Sequence, residues 1–209
     1  ISRLIPQSFY YFYAAGQVGW QEALTFITPS GNFGNLCGGL LAQKMGLPVS
    51  HFIAATNANA VFPHYIETGE YTPQPSIPTL ANAMDVGAPS NFARIQELFG
   101  ASHQAITTQI SSLSVSDEVI RQVIAHTKEQ YDYTLCPHTA TGIHAWEQSE
   151  RAGQGVVLAT AHPCKFGDVV EPIIGQAVEI PDRLQAIVNR EKQAISMQAD
   201  FMELKSYLL

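Results

Sequence analysis

The sequence predicts an α/β domain with an open, mostly parallel, twisted sheet and helices on both faces. Helical and strand-like segments alternate along the 209 residues. The strand-like segments are short, apolar and rich in β-branched residues, as buried strands are. With 46% hydrophobic and only 14% charged residues, the chain can bury a substantial core.

The first elements are a helix and a strand that leads into a glycine-rich loop. Leu4–Val18 is apolar and aromatic and is followed by a glycine, which predicts a buried helix. Leu24–Thr28 is a β-branched and aromatic run closed by a proline, which predicts a strand. A loop over Ser30–Asn35 follows, and Leu36–Met45 is predicted to be a helix of small residues that stops at a glycine.

A second strand and a proline-rich segment come next. Val49–Ala55 is predicted to be a strand, and Asn57 is placed to cap a short helix that runs through Tyr65. Gly69–Pro89 contains four prolines and little periodicity, which predicts a long loop or lid.

The rest of the α/β domain is mainly helical, with one further strand. Residues 1–180 are assigned to this domain, and residues 181–209 to a carboxyl-terminal helical tail. The predicted elements are helices over Asn91–Phe99, Asp117–Tyr131, Pro137–Trp146 and His162–Ile174, and a buried strand over Gly155–Ala159 that ends at Thr160.

Charge and composition exclude several classes of function. A formal net charge of -7 argues against nucleic acid as the main partner, because binding a phosphate backbone needs a basic face. No apolar run is long enough to cross a bilayer, and the first residues do not resemble a secretory signal. Three cysteines without a CxxC pair indicate reduced thiols in a cytoplasmic protein. The histidines show no zinc-ligand spacing, so no metal is predicted.

The loop Ser30-Gly31-Asn32-Phe33-Gly34-Asn35 lies between a predicted strand and a predicted helix. In an α/β sheet this is the carboxyl edge, where ligands bind, and a helix amino-terminus offers free N–H groups to an anion. The loop contains no Lys or Arg, so backbone dipoles would bind a phosphate there. The alternative is that glycine and asparagine only make a tight connection.

Four further strings follow this loop in order, and together with it they carry a resemblance. T-P-S-G-N-F-G-N is followed by F-I-A-A-T-N, N-A-M-D-V, P-H-T-A and T-A-H-P-C-K-F between Thr28 and Phe166. In order and spacing these strings resemble the threonine synthase family, as does the opening stretch Ile1–Phe12. The chain is identified as similar to the carboxyl-terminal part of that family.

The resemblance implies the fold type II, tryptophan-synthase-like group of pyridoxal-phosphate (PLP) enzymes. Residues 1–180 would then be the carboxyl-terminal part of an incomplete PLP-binding domain. The implied reaction converts O-phospho-L-homoserine and water to L-threonine and phosphate, a PLP-dependent lyase activity in threonine biosynthesis. The resemblance implies that the loop Ser30–Asn35 holds the cofactor phosphate and that Thr160 lies against the pyridine nitrogen.

The same resemblance places the Schiff-base lysine of the family upstream of this chain. The lysines present are Lys44, Lys128, Lys165, Lys192 and Lys205. Only Lys165 lies in a family motif, and the family does not use that position for the Schiff base. The expected partners are therefore a missing amino-terminal part of the same protein and, as one option, a second copy in a homodimer. The chain alone is expected to be inactive.

Four residues of the other motifs are candidates for substrate contact: Asn82, Asp85, His138 and Lys165. Asn82 and Asp85 could close the pocket or cap a turn, and the structural role is favoured. A lone histidine at a helix start is more often a structural hydrogen-bonding residue than a ligand contact. Two alternatives to a threonine synthase part stay open: another fold type II PLP enzyme, such as a dehydratase or sulfhydrylase, and an inactive phosphate-binding or interaction domain.

Overall fold

The structure is a computed structural model that describes residues 2–19, 23–188, 190–191 and 193–209. Lys192 lies outside the described residues. The chain divides into two compact units, Ile1–Val178 and Glu179–Leu209, which are described separately.

The first unit contains a parallel sheet, which confirms the predicted α/β class. Its strands are β1 (Leu24–Pro29), β2 (Val49–Thr56), β3 (Ile110–Ser114) and β4 (Gly155–Val157). Their order across the sheet is β3-β2-β1-β4, and all three neighbouring pairs are parallel. The chain therefore adds β2 and β3 on one side of β1 and then returns to place β4 on the other side of β1.

Helices connect the strands and lie on both faces of the sheet. They are α1 (Ile5–Val18), α2 (Gly34–Lys44), α3 (Val61–Thr68), α4 (Phe92–Leu98), α5 (His103–Gln109), α6 (Asp117–Tyr131), α7 (Pro137–Glu147) and α8 (Gly167–Ile174). Short 3-10 turns over Asn82–Met84 and Pro163–Phe166 complete the unit.

Alternating strand residues divide the core between the two faces. Phe26 of β1 and Phe52 of β2 face α1, where the ring of Tyr11 lies 4.9 Å from that of Phe26. Their neighbours Ile27 and Ile53 point the other way and pack with α7. Both faces are therefore covered, as parallel sheets require.

Glycine allows α1 and α2 to pack closely. A Cβ on Gly39 would lie 2.5 Å from the Tyr11 ring and 2.7 Å from Phe52. Tyr11 is consequently fully buried, and burial raises the pKa of its phenol. Its hydroxyl donates to the main-chain oxygen of Asn35 at 2.7 Å. This bond ties α1 to the first turn of α2.

Several predicted elements differ from the structure. The helix α1 was predicted to be buried, but only one of its faces is, and Phe9 and Tyr13 are exposed. β4 is shorter than predicted and only half-buried. The strand β3 and the helix α5 before it were not predicted. The helix predicted over His162–Ile174 begins instead as a 3-10 turn that runs into α8.

Asn57 does not cap the next helix, contrary to the prediction. α3 begins at Val61, and its amino-terminal cap is Ala60. The buried side chain of Asn57 instead donates hydrogen bonds to Thr79 and Ala81 and to Asp85 Oδ1, at 2.7 to 3.2 Å. It therefore anchors the proline-rich segment to the end of β2.

The second unit contains two helices, α9 (Asp182–Val188) and α10 (Phe201–Leu208). Asp200 caps α10, because its carboxylate accepts from the N–H groups of Met202 and Glu203 at 2.9 and 3.0 Å. Within the described part of the chain, no helix combines the length and apolar character that a membrane span requires.

Candidate active site

The candidate site lies at the carboxyl edge of the sheet, where the strand order reverses. The chain leaves β1 toward β2 on one side, whereas β4 pairs with β1 on the other. Connections that diverge in this way leave a crevice between the two strand ends, which is where open α/β sheets bind ligands. The loop Ser30–Asn35 follows β1, and Thr160 follows β4.

Side-chain hydrogen bonds hold the loop Ser30–Asn35 in shape. Ser30 Oγ donates to Asn35 Oδ1 at 2.5 Å and accepts from the Phe33 N–H at 3.0 Å. Asn35 Nδ2 donates to the carbonyl of Pro29 at 2.8 Å. The side chains of Ser30 and Asn35 thus form hydrogen bonds within the loop, so they stabilise its conformation instead of binding a ligand.

Phe33 makes the left-handed turn of the loop. Its φ is 59°, in the left-handed region, whereas Gly31 and Gly34 do not have positive φ values. The strain is offset by burial, because the Phe33 side chain is 1% exposed and its ring centroid lies 4.6 Å from that of Phe62. The aromatic side chain therefore anchors the loop in the core and turns its backbone toward the crevice.

The backbone of the loop offers an uncommitted set of donors. The N–H groups of Gly31, Asn32, Gly34 and Asn35 donate to no acceptor among the described residues. α2 begins at Gly34, two residues earlier than predicted, so two of these groups belong to its first turn. Free N–H groups at a helix amino-terminus bind anions, because the helix dipole adds a partial positive charge there.

The two glycines of the loop serve different purposes. A Cβ on Gly31 would lie 2.6 Å from Met84 Cα, so this glycine permits close packing against the 3-10 turn Asn82–Met84. A Cβ on Gly34 would lie 3.4 Å or more from the Gln7 and Asn91 side chains, an ordinary contact distance. Packing within the chain therefore requires a glycine at position 31 but not at position 34.

The outer side of the loop is fastened to the start of α4. Asn32 Oδ1 accepts from the Ser90 N–H at 2.6 Å and lies 3.1 Å from Ser90 Oγ, which also donates to it. Asn91 Nδ2 donates to the Asn32 carbonyl at 2.8 Å. Arg94 in turn donates to Asn91 Oδ1 at 2.9 Å. Polar contacts therefore fix the loop on its solvent side, while Phe33 fixes it on the core side.

The loop opens into a cavity of about 920 Å³ that also contains Thr160. This volume suits a cofactor together with a small substrate. Three cationic side chains, Arg3, Arg94 and Lys165, line the cavity, and no carboxylate is among the described residues that do so. The cavity is consequently electropositive although the whole chain carries a net charge of -7.

Thr160 lies three residues beyond the end of β4 and lines the cavity. Among the described residues, none forms a hydrogen bond with its hydroxyl. The chain stays hydrogen-bonded to β1 as far as Leu158, whose N–H donates to the Ile27 carbonyl at 3.0 Å. The free hydroxyl is therefore held at the same sheet edge as the loop.

Two other predicted residues, His138 and Lys165, also line the cavity. His138 is 3% exposed and lies at the start of α7. Its ring centroid is 4.7 Å from that of Phe166, and Lys165 Nζ lies 5.7 Å from the same Phe166 ring. Burial, and secondarily the Lys165 cation, lower the pKa of His138 to about 4, so its imidazole is neutral near pH 7.

Asn82 and Asp85 do not line the cavity. Asp85 Oδ1 accepts from Asn57 Nδ2 and Thr79 Oγ1, both at 2.7 Å, and Oδ2 accepts from the Thr79 N–H at 3.1 Å. Asn82 is exposed. These contacts support the structural alternative, in which Asp85 shapes the proline-rich segment and the 3-10 turn before it.

Within the first unit, the described lysines other than Lys165 do not line the cavity. Lys44 is exposed at the end of α2, and Lys128 pairs with Asp132 at 2.5 Å. Lys205 is on α10. Among the described lysines of the first unit, Lys165 is thus the one that lines the cavity.

Gln7, Arg3 and Arg94 are among the cavity residues that sequence reasoning missed. The Gln7 side chain lies against Gly34 and Gly38, and its buried terminal oxygen has no hydrogen-bond partner among the residues that the structure describes. Because amide oxygen and nitrogen exchange places by rotation, Gln7 can donate to an anion. Arg3 falls within the opening stretch that resembled the family, which was the available signal for it.

No group of three or more His, Cys, Asp or Glu side chains that could hold a metal occurs within the described ranges. The three cysteines are free thiols, and Cys37 and Cys136 are buried. Burial raises the pKa of Cys37 to about 11, so it is a packing residue and not a nucleophile.

The chain is similar to known threonine synthases. A family model described as "Threonine synthase, C-terminal" matches residues 139–208. Threonine synthase of Serratia marcescens is 39% identical over the whole chain, which covers 49% of that protein. The crystal structure of threonine synthase from Escherichia coli has a TM-score of 0.89 at 37% identity, with 99% of this chain and 49% of that one covered.

The structure of PLP-bound threonine synthase from Brucella melitensis has a TM-score of 0.90 at 28% identity over 98% of this chain and 50% of that one. The chain spans about half the length of the curated relatives it matches. It therefore belongs to the threonine synthase family and corresponds to the carboxyl-terminal half of its members.

Proposed function

We propose that this chain forms the cofactor-phosphate and pyridine end of the active site in a PLP-dependent lyase. The enzyme converts O-phospho-L-homoserine and water to L-threonine and phosphate. The observation that carries the proposal is a set of four backbone N–H groups, those of Gly31, Asn32, Gly34 and Asn35, that have no acceptor among the described residues. These residues line the same cavity as Thr160. The family relationship supports the identity of the cofactor and the substrate.

The residues of the site fit PLP. A dianionic phosphate matches donors at a helix amino-terminus, and none of the described residues that line the cavity is a carboxylate that would repel it. The absence of a side chain at Gly34 leaves room beside Gln7 and Asn91 for a phosphate oxygen. The loop would therefore hold the phosphate, while Thr160 would face the ring nitrogen.

Thr160 would determine the electronic character of the bound ring. PLP supplies an electron sink for carbanions at the α and β carbons of the substrate. A threonine hydroxyl donates a hydrogen bond to an unprotonated pyridine nitrogen but provides no negative charge that would hold a proton there. Thr160 would thus orient the ring while keeping it a moderate electron sink.

The cationic side chains of the cavity would bind the anionic groups of the substrate. O-Phospho-L-homoserine carries a phosphate and a carboxylate, and Arg3, Arg94 and Lys165 line the cavity without carboxylate partners. Lys165 and Thr160 lie on the same stretch after β4, so we assign Lys165 to the substrate. An attractive field of this kind also raises the local concentration of an anionic substrate.

The amino-terminal half of the relatives has no counterpart in this chain, and we propose that the cofactor-bonding lysine belongs to such a half. We also propose a cytoplasmic protein, because its three cysteines are free thiols. A homodimer stays a prediction.

Substitutions of Thr160 test the proposal in the complete enzyme. Thr160→Val keeps the side-chain shape and deletes the donor, so PLP should bind less tightly by on the order of 1–3 kcal/mol. Thr160→Asp should protonate the ring and change the absorption spectrum of the cofactor. Wild-type spectra and rates in both variants would remove Thr160 from the site.

A PLP titration of the wild-type protein distinguishes the enzyme from a simple anion-binding domain. If the wild-type protein binds inorganic phosphate but shows no PLP absorbance band after dialysis, the non-enzymatic alternative replaces the lyase. If PLP binds but L-serine or L-threonine is consumed in place of O-phospho-L-homoserine, another fold type II activity is indicated.

A further inference from the structure

His138 lines the cavity, and no described residue accepts a hydrogen bond from its Nδ1. The main-chain N–H of Ala83 donates to His138 Nε2 at 3.2 Å. Since an amide N–H can only donate, Nε2 must be the unprotonated nitrogen. A neutral imidazole then carries its proton on Nδ1. The contact with Ala83 therefore fixes the tautomer of the ring.

The Nδ1–H group has no acceptor among the described residues, although it is buried. The whole side chain is only 3% exposed, so bulk water does not replace a partner. Leaving a buried donor unpaired costs about 1–3 kcal/mol, and native structures rarely retain such a group without a reason. The His138 ring also lines the cavity that contains Thr160.

The surroundings keep the imidazole neutral. Lys165 is the nearby cation and lowers the pKa of His138, whereas the Asp85 carboxylate raises it. The Asp85 oxygens already accept hydrogen bonds from Asn57 and Thr79. Protonating the ring would also place a second N–H against the Ala83 N–H, which is repulsive.

We propose that His138 is a ligand-binding residue whose Nδ1–H donates a hydrogen bond to an oxygen of the molecule bound in the cavity. This inference rests on the proposed function. The acceptor is an oxygen of PLP or of the phosphorylated substrate, since both bring oxygens into the cavity. His138 acts as a neutral donor and transfers no proton, because Nε2 is occupied by the Ala83 N–H.

Two substitutions separate binding from structure. Asn places its amide nitrogen near the position of Nδ1, whereas Gln places its amide oxygen near the position of Nε2. His138→Asn therefore keeps the donor and loses the acceptor for Ala83, and His138→Gln does the reverse. A structural histidine would make Asn the more harmful change, and a ligand donor would make Gln the more harmful change.

The experiment measures the PLP dissociation constant by absorbance, the KM for O-phospho-L-homoserine and the urea midpoint of each holoenzyme. We expect His138→Gln to raise the dissociation constant or the KM about 10-fold, and His138→Asn to stay within about 3-fold of wild type. A change confined to PLP affinity assigns the acceptor oxygen to the cofactor, and a change confined to KM assigns it to the substrate.

Nitrogen NMR of the imidazole provides a readout that is independent of activity. The wild-type protein should show the proton on Nδ1 from pH 5 to pH 8. A proton on Nε2, or equal ligand binding by both variants and wild type, would overturn the assignment of His138 alone. Failure of the wild-type protein to bind PLP would overturn the proposed function and this inference together.

Discussion

Gly31 gives the most direct test of how the anion loop is built. In Gly31→Ala the new Cβ would lie 2.6 Å from Met84 Cα and 2.8 Å from Met84 O. Carbon atoms prefer separations of about 3.5–4.0 Å, so the overlap is about 1 Å. Both contacts are to backbone, and no rotamer change relieves them.

The magnitude follows from that overlap. Overpacking a well-packed site costs about 1–3 kcal/mol, and a clash with fixed backbone belongs at the upper end. We therefore expect Gly31→Ala to lower the free energy of unfolding by about 3 kcal/mol. PLP affinity should fall with it, because the loop must move away from the turn Asn82–Met84.

Gly34 supplies the matched control. A Cβ there meets Gln7 Oε1 at 3.4 Å, so Gly34→Ala should change the free energy of unfolding by less than about 0.5 kcal/mol. Gly34→Val should abolish PLP binding, because its branches fill the space assigned to the phosphate. Urea unfolding followed by circular dichroism and PLP titration by absorbance distinguish the two positions. If Gly31→Ala and Gly34→Ala are equally stable, the steric reasoning is wrong.

Three further outcomes are expected. Asp85→Ala should lower the free energy of unfolding by about 2–4 kcal/mol, because Asn57 and Thr79 lose a charged acceptor, whereas the exposed control Asn82→Ala should be neutral in the same urea assay. Burial, and secondarily Arg151, lower the pKa of His51 to about 4, so the unfolded chain binds its proton more readily. The contribution of His51 to stability should therefore fall as pH drops from about 6.5 to about 4, by on the order of 2 kcal/mol. His51→Gln should reduce the slope in urea titrations at several pH values but not remove it, because burial also lowers the pKa of His138. Borohydride reduction with PLP should leave the lysines of this chain unlabelled, and stoichiometric labelling of Lys165 in a mapped peptide would contradict the assigned roles.

Local signals in the sequence were sufficient for the elements around the loop. β1, β2 and the α2 helix follow apolar runs that glycine and proline close, and the structure retains them within a few residues. β3 was missed because Ile110–Ser114 is mostly serine, so it shows no clear apolar pattern. It becomes a strand by pairing in parallel with β2, which is a tertiary effect.

The missed features of the site depend on contacts between distant residues. Asn57 was expected to cap a helix, but Asp85 and Thr79 from the proline-rich segment compete for its side chain. The role of Gly31 depends on the backbone of Met84, and the role of Gln7 depends on the packing of α1 against α2. A single sequence shows the residues but not these pairings.

The reversal of strand order has a consequence for how the chain folds. β1 and β2 are separated only by α2, so the anion loop can form from neighbouring sequence. β4 pairs with β1 only after the chain has passed through β3 and α7, as when Gly155 meets Thr25. Closing so long a segment is entropically costly, and distant pairings form slowly. We therefore expect the loop to fold early and the Thr160 side of the crevice to fold last. The protein would then become able to bind its ligand only in the final folding step.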